Sequence, residues 1–336
     1  MATRWGICGT GLISHDFSCA LKSLPESEHK IVAVGAASSQ EKAEAFAKEH
    51  GIQTAHGTYE SLAKDPDVEI VYVGTFHPYH YKACLLFFEH GKHVLCEKPL
   101  TLSLQHAQEL VDKARDKKLF FMEGFWTRFF PAVKLLREEL SKGSVGKVNI
   151  VRAAFCSPTA VLERMRKREL GGGALMGSGC YLIQFADLIF KERPQKIVAL
   201  GQLSDEAVDT SAAIILTYSE GRMAVLCYNN GSVLGNNTLT IHGSKANIEL
   251  HSPFHCPTTI TLPSGETKVF PLPETPYTYN WANSNGFVYE AECVRKCLQQ
   301  GLTECPDMPH EDSLNIMAIL DEVRRQLGVV YDNLKD

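Results

Sequence analysis

The chain has 336 residues, 44% hydrophobic and 22% charged, with a net charge of −5. That length accommodates two domains, and the mild acidity gives no basic surface for nucleic acid. No apolar run approaches the roughly 20 residues of a membrane span, and Met1-Ala2-Thr3-Arg4-Trp5 runs into a strand without room for a signal peptide, so neither nucleic acid nor membrane is an expected partner.

Trp5-Gly6-Ile7-Cys8 reads as a first strand, and Ile13, Phe17, Leu21 and Leu24 line one side of the helix after it. Ile31–Ala36 is a second strand, followed by an Ala-rich helix over 40–50. Glu69–Val73 is a strong strand. A helix over 79–90 leads to a strand over 92–96, and a helix over 103–117 to a strand over 119–122. Strands alternating with helices predict a doubly wound parallel sheet, a Rossmann domain over 1–125.

Beyond Trp126 the rhythm changes. A helix over 130–142 precedes strands at 147–155, 195–203, 211–218, 222–228, 238–241, 246–250 and 258–262, with a hairpin turn at Ser219-Glu220-Gly221 and a helix over 179–190. Helices over 285–300 and 310–326 close the chain. This predicts a second α/β domain over 126–336, with an open, mostly antiparallel sheet carrying helices on one face; a second subunit is the natural cover for the other. The eleven cysteines are odd in number, scattered and without Cys-x-x-Cys, which favours free thiols in the cytoplasm and no metal. Cys293 and Cys297, four apart on a helix, suit packing.

Gly9-Thr10-Gly11-Leu12-Ile13-Ser14 follows the first strand and opens a helix, matching the dinucleotide fingerprint with serine at its last position. The glycines allow a pyrophosphate to approach backbone amides at a helix N-terminus. The second strand ends in Gly35-Ala36-Ala37-Ser38-Ser39-Gln40, with no acid before Glu41 to hold ribose hydroxyls. Ser38 and Ser39 suit a 2′-phosphate, so NADP is the expected cofactor, although both serines would equally cap the next helix. After the strand at 69–73, Thr75, His77 and Pro78 are candidates for the nicotinamide end. His80 is placed toward the substrate side, and Glu97 on ribose hydroxyls. Lys98 ends the next strand, where open α/β sheets place their ligands, and Pro99 biases it away from helix.

These stretches occur together with Trp126-Thr127-Arg128-Phe129-Phe130-Pro131, Gly171-Gly172-Gly173-Ala174-Leu175 and Tyr181. The combination resembles the glucose–fructose oxidoreductase/inositol dehydrogenase (Gfo/Idh/MocA) family over nearly the whole chain. The resemblance implies NADP-dependent oxidation of a CH–OH group in a trans-dihydrodiol or an aldose such as D-xylose, with Lys98 and Tyr181 as the catalytic pair. It also implies a cis bond before Pro99, a cofactor site that extends to Trp126 and Arg128, and a homodimer through the C-terminal sheet. Either Tyr181 or Lys98 would accept the proton. Phe125, Trp126, Phe155 and Phe287 are candidate apolar walls of a substrate site or core residues. The family pattern has an aspartate four residues before the catalytic tyrosine, where this chain has Gly177. That departure keeps open a second class of function, a cofactor-binding regulatory protein with weak chemistry.

Overall fold

The computed structural model describes residues 2–37, 39–233 and 235–331. They form two compact units: one from Met1–Thr101, Gln105–Phe129 and Leu272–His310, the other from Leu102–Leu104, Phe130–Pro271 and Glu311–Asp336.

In chain order the elements of the first part are β1 (Thr3–Cys8), α1 (Leu12–Lys22), β2 (His29–Gly35), α2 (Gln40–His50), β3 (Thr54–His56), α3 (Tyr59–Lys64), β4 (Ile70–Val73), α4 (His80–Glu89), β5 (His93–Glu97), α5 (Leu104–Asp116) and β6 (Phe121–Gly124). The sheet order is β3-β2-β1-β4-β5-β6, every pairing parallel. This is the doubly wound Rossmann order, whose ligands bind outside the carboxyl ends of the strands where β1 and β4 diverge. β4 is buried at all four positions, as a strand covered on both faces must be. β3 and α3 are not among the elements that periodicity predicts. Thr54-Ala55-His56 has no apolar signature and is only half-buried; pairing with the end of β2 makes it a strand.

The second stretch continues with α6 (Pro131–Ser141), β7 (Val148–Cys156), α7 (Glu163–Arg166), α8 (Cys180–Phe190), β8 (Lys196–Leu203), β9 (Asp209–Thr217), β10 (Met223–Asn229), β11 (Leu239–Gly243), β12 (Asn247–Leu250), β13 (Thr259–Thr261) and β14 (Thr267–Val269), and ends with α9 (Phe287–Gln299) and α10 (His310–Leu327). Its eight strands run β14-β13-β12-β11-β7-β10-β9-β8, antiparallel except for β7 with β10. One face is buried through Val151, Ala153, Ile214, Leu216, Leu226 and Ile241. The stretch Arg168–Phe190 is apolar and long enough by composition to cross a membrane, which the sequence reading does not register; its apolar window is 89% buried, as in a core helix.

The expected split into 1–125 and 126–336 differs from these units, because residues 126–129 and 272–310 pack with the first. Side chains of the Rossmann layer hold that return segment. Asp16 of α1 accepts hydrogen bonds from the Asn280 and Trp281 amides, Ser23 bonds Thr275, and His29 meets Glu292 of α9. Phe287 packs edge-on against Phe17 and stacks on Trp126 at 4.3 Å.

Candidate active site

The phosphate turn shows what each glycine is for. Gly9 has φ +100°, a conformation closed to side chains, and a Cβ there would lie 3.2 Å from the Gly74 carbonyl. Gly11 has an ordinary φ of −88°, and a Cβ there would meet no protein atom within 4 Å. Protein packing therefore does not require Gly11, whereas the close approach of a pyrophosphate does, so the turn fits a dinucleotide. Ser14 takes the third position without cost, since it is buried and its hydroxyl sits 3.4 Å from the Gly74 carbonyl. The smaller partner is Gly74, where a Cβ would come within 2.5 Å of Ser14 Oγ.

Around this turn, at the carboxyl ends of β1, β4 and β5, lie the partly or fully exposed Thr10, Gly11, Leu12, Ile13, Thr75, His77, Pro78 and Lys98. The Lys98–Pro99 bond is cis. Beside the lysine, Glu97 accepts from the Tyr72 hydroxyl at 2.8 Å and from the Lys98 amide at 3.2 Å. Tyr72 in turn stacks on Phe17 at 3.8 Å. Glu290 of α9 is fully buried without a hydrogen-bond partner; burial, and then the charge of Glu97, push its carboxyl well up. Tyr72 and Glu290 thus form a floor under Glu97 that the motifs do not reveal. Tyr72 reads as one more apolar strand position, and Glu290 comes from nearly 200 residues away.

Several candidates have other roles. His80 has no accessible surface, and its ring nitrogens lie 3.1 Å from the Pro99 and Thr75 carbonyls. Burial pushes its pKa down. It ties the β4 loop to the lysine turn, and a side chain without accessible surface cannot touch a bound molecule. The same holds for Arg128, which donates to the Asp307 carbonyl, and for Phe125. Phe287 and Trp126 stack in the interior of the first unit, 1% and 4% exposed. Ser39 caps α2, accepting from the Lys42 amide and donating to Glu41 at 3.0 Å. Ser38 lies outside the described residues.

In the second unit the Gly-Gly-Gly run builds the seat of Tyr181. Gly173 has φ +116°, and a Cβ there would lie 2.4 Å from Asp209 Oδ1. Asp209 accepts from the Leu175 amide at 2.6 Å, opening a π-helical turn over Leu175–Gly179 that runs into α8. Tyr331 donates to the Gly172 carbonyl at 2.6 Å. Tyr181, in the first turn of α8 and 7% exposed, faces an aromatic group: Phe155 at 5.9 Å and His255 at 5.4 Å, themselves stacked at 4.5 Å. His255 carries no sequence signal, because a turn before β13 brings it to Phe155. At Gly177 a Cβ would lie 2.4 Å from Met165 Cε and 2.8 Å from its sulfur. A thioether occupies the space that a side chain at 177 would need.

The fold, the phosphate turn and the lysine at the end of β5 define an oxidoreductase that binds a nicotinamide dinucleotide. The chain belongs to the GFO/IDH/MocA family: residues 3–125 match its NAD-binding Rossmann domain and residues 133–249 its C-terminal domain. It is 45% identical to trans-1,2-dihydrobenzene-1,2-diol dehydrogenase of Xenopus laevis, over 98% of this chain and 100% of that one. It is 41% identical to the Homo sapiens protein of the same name, over 98% of each. Among solved structures it is similar to levoglucosan dehydrogenase in complex with NADH and levoglucosan (TM-score 0.85, 19% identity, 98% of each chain). It is also similar to KijD10, a 3-ketoreductase from Actinomadura kijaniata in complex with NADP and TDP-benzene (TM-score 0.82, 24% identity, 97% of this chain and 98% of that one).

Proposed function

We propose that the protein is an NADP-dependent dehydrogenase that oxidises a CH–OH group of a cyclic trans-dihydrodiol, with Lys98 and Tyr181 as its acid–base pair. The observation that carries the reading is the accessible Lys98 in the same rim as the Gly9–Ile13 turn. Thr10, Leu12, Ile13, Thr75, His77 and Pro78 would hold the dinucleotide, Glu97 its ribose hydroxyls, and Ser38 the 2′-phosphate. NADP is favoured because no acid follows β2 before Glu41. When bound, the nicotinamide takes up the hydride. The Lys98 ammonium would favour the Tyr181 phenolate, and that phenolate would take the carbinol proton as the hydride leaves, giving the neutral phenol and the carbonyl product.

Two observations favour a ring diol over an aldose. The residues beside Tyr181 are aromatic, and Met165 stands where a hydroxyl-binding carboxylate at 177 would project. Flat unsaturated rings suit such a surface, whereas a polyhydroxylated sugar would leave its hydroxyls unpaired. D-Xylose is the second substrate, on family resemblance. The active form is a homodimer through the C-terminal sheet, in the cytoplasm, where all eleven thiols stay free.

The test is NADPH formation on a panel of dihydrodiols and pentoses by the native enzyme, Lys98→Met and Tyr181→Phe, with a direct titration of NADP and NAD. Each variant is expected to lose about a hundredfold or more in kcat while keeping its affinity for NADP. Full turnover by either variant removes that residue from the chemistry, and tighter binding of NAD overturns the cofactor assignment.

A further inference from the structure

Three cysteines of the first unit meet between α9 and the loop after it, on the side of Glu290 away from Glu97's own hydrogen bonds to Tyr72 and the Lys98 amide. Cys293 and Cys297 lie one turn apart on α9 and present their sulfurs on one face. The chain after α9 doubles back on itself. The Leu302 amide bonds the Cys297 carbonyl at 3.0 Å, and Thr303 accepts from the Phe121 amide at the edge of β6 at 3.0 Å. A bridge between Cys305 and Met308 then turns Cys305 onto the helix. The outcome is a trio of sulfurs all within 4.8 Å of one another, Cys293 and Cys305 at 3.4 Å. No His, Asp or Glu joins this set among the described residues. Cys297 and Cys305 are buried, and Cys293 is partly exposed, which leaves an approach from solvent.

We infer that Cys293, Cys297 and Cys305 form a binding site for a thiophilic metal ion of low coordination number, of which copper(I) is the representative. Three sulfur donors at about 2.3 Å from a common centre stand about 4 Å apart in a trigonal plane, so the sulfurs need shift by only tenths of an ångström. Thiolate donors select soft ions. The missing fourth side chain sets this site apart from the closed tetrahedral arrangement of structural zinc. Binding exchanges the thiol protons for the ion, releases those protons to solvent and changes no oxidation state. The buried guanidinium of Arg128, on the Asp307 carbonyl, puts a positive charge beside the loop that carries Cys305, partly offsetting the negative charge of a thiolate trio. The ion would fasten the 301–309 loop to α9, a role separate from the hydride chemistry.

The experiment is an anaerobic titration of the full-length reduced protein with copper(I) against a colorimetric copper(I) chelator, followed by X-ray absorption at the copper edge and by thermal unfolding with and without the ion. One equivalent held by three sulfur scatterers is expected, with a higher Tm when loaded. Cys293→Ser and Cys305→Ser are each expected to weaken binding about a hundredfold or more. Cys227→Ala, which alters an exposed cysteine of the other unit, is expected to leave binding unchanged. Cys293 is partly exposed, so Cys293→Ser keeps the test open if Cys305→Ser does not fold. The inference is overturned by nitrogen or oxygen scatterers, by binding that survives Cys293→Ser or that Cys227→Ala abolishes, or by a Tm that full loading does not move. A Cys293–Cys305 disulfide formed under mild oxidation, with no ion held by the reduced protein, likewise overturns it, because the trio is then a redox pair.

Discussion

The two sheets make opposite use of their faces. In the first unit β4 is closed to solvent at every position and β5 at all but its first residue, so function is left to the strand ends. There, backbone amides and a few side chains meet a ligand. In the second unit the strands alternate: β10 buries Ala224, Leu226 and Tyr228 and turns Val225 and Cys227 outward. The outward residues fall in register as two apolar rows, Val198–Ile215–Val225 and Leu200–Ala213–Cys227, with Leu200 80% exposed. A two-sided sheet spends its apolar residues on stability and its ends on binding, whereas a one-sided sheet leaves a whole apolar face open, the face on which the proposed dimer rests.

That comparison breaks most decisively at Gly173. Gly173→Val combines a forbidden φ with a clash against Asp209 and is expected to cost about 3 kcal/mol or more. Denaturant unfolding should show the loss, and an unchanged midpoint would mean that the glycine run does not build the seat of Tyr181. Next is the open face. Leu200→Glu buries nothing and should leave folding intact, yet halve the mass that light scattering gives if the proposed homodimer uses this face; a dimer of unaltered mass would move the interface elsewhere, and a monomeric native protein would overturn the dimer. A smaller, pH-dependent effect is expected where α9 meets the Rossmann layer. Hydrogen bonds from Arg295 hold the Glu292 carboxyl down to about 2, with His29 adding to them. A depressed acid contributes stability above its ordinary pKa, and that contribution is lost as pH falls through its folded value. Glu292→Gln should therefore lower stability at pH 7, where the carboxylate's contribution is fully present, and flatten the acid limb of the unfolding profile between about pH 4.5 and 2, so that the two proteins converge at low pH. The mildest effect is at the substrate side. Gly177→Asp should slow dihydrodiol oxidation, because its Cβ displaces Met165, and Met165→Ala in the same chain should recover most of the rate. No recovery would show that space at Met165 is not what excludes a side chain at 177.

Much of the candidate site could be read in the sequence because its residues are punctuation. Gly9, Pro99 and the 171–173 run mark backbone conformations that few residues adopt, and local geometry is written in local sequence. His80 and Arg128 misled for the same reason. Their motifs place them next to the cofactor along the chain, but the side chains turn inward onto the Pro99 and Asp307 carbonyls. Glu290, Tyr72 and His255 carry no motif, and only the packing of distant segments brings them to Glu97 and Tyr181.

By itself the sequence determined the strand–helix alternation of the first unit, the phosphate turn, the lysine at a strand end and the change to a one-sided sheet, since periodicity and glycine placement act over a few residues. Tertiary structure alone decided that residues 272–310 return to the Rossmann layer, that Met165 fills the space at Gly177, and that three cysteines gather around Cys305. Each of these depends on where chain segments far apart in sequence are buried together, and burial is a property of the whole fold.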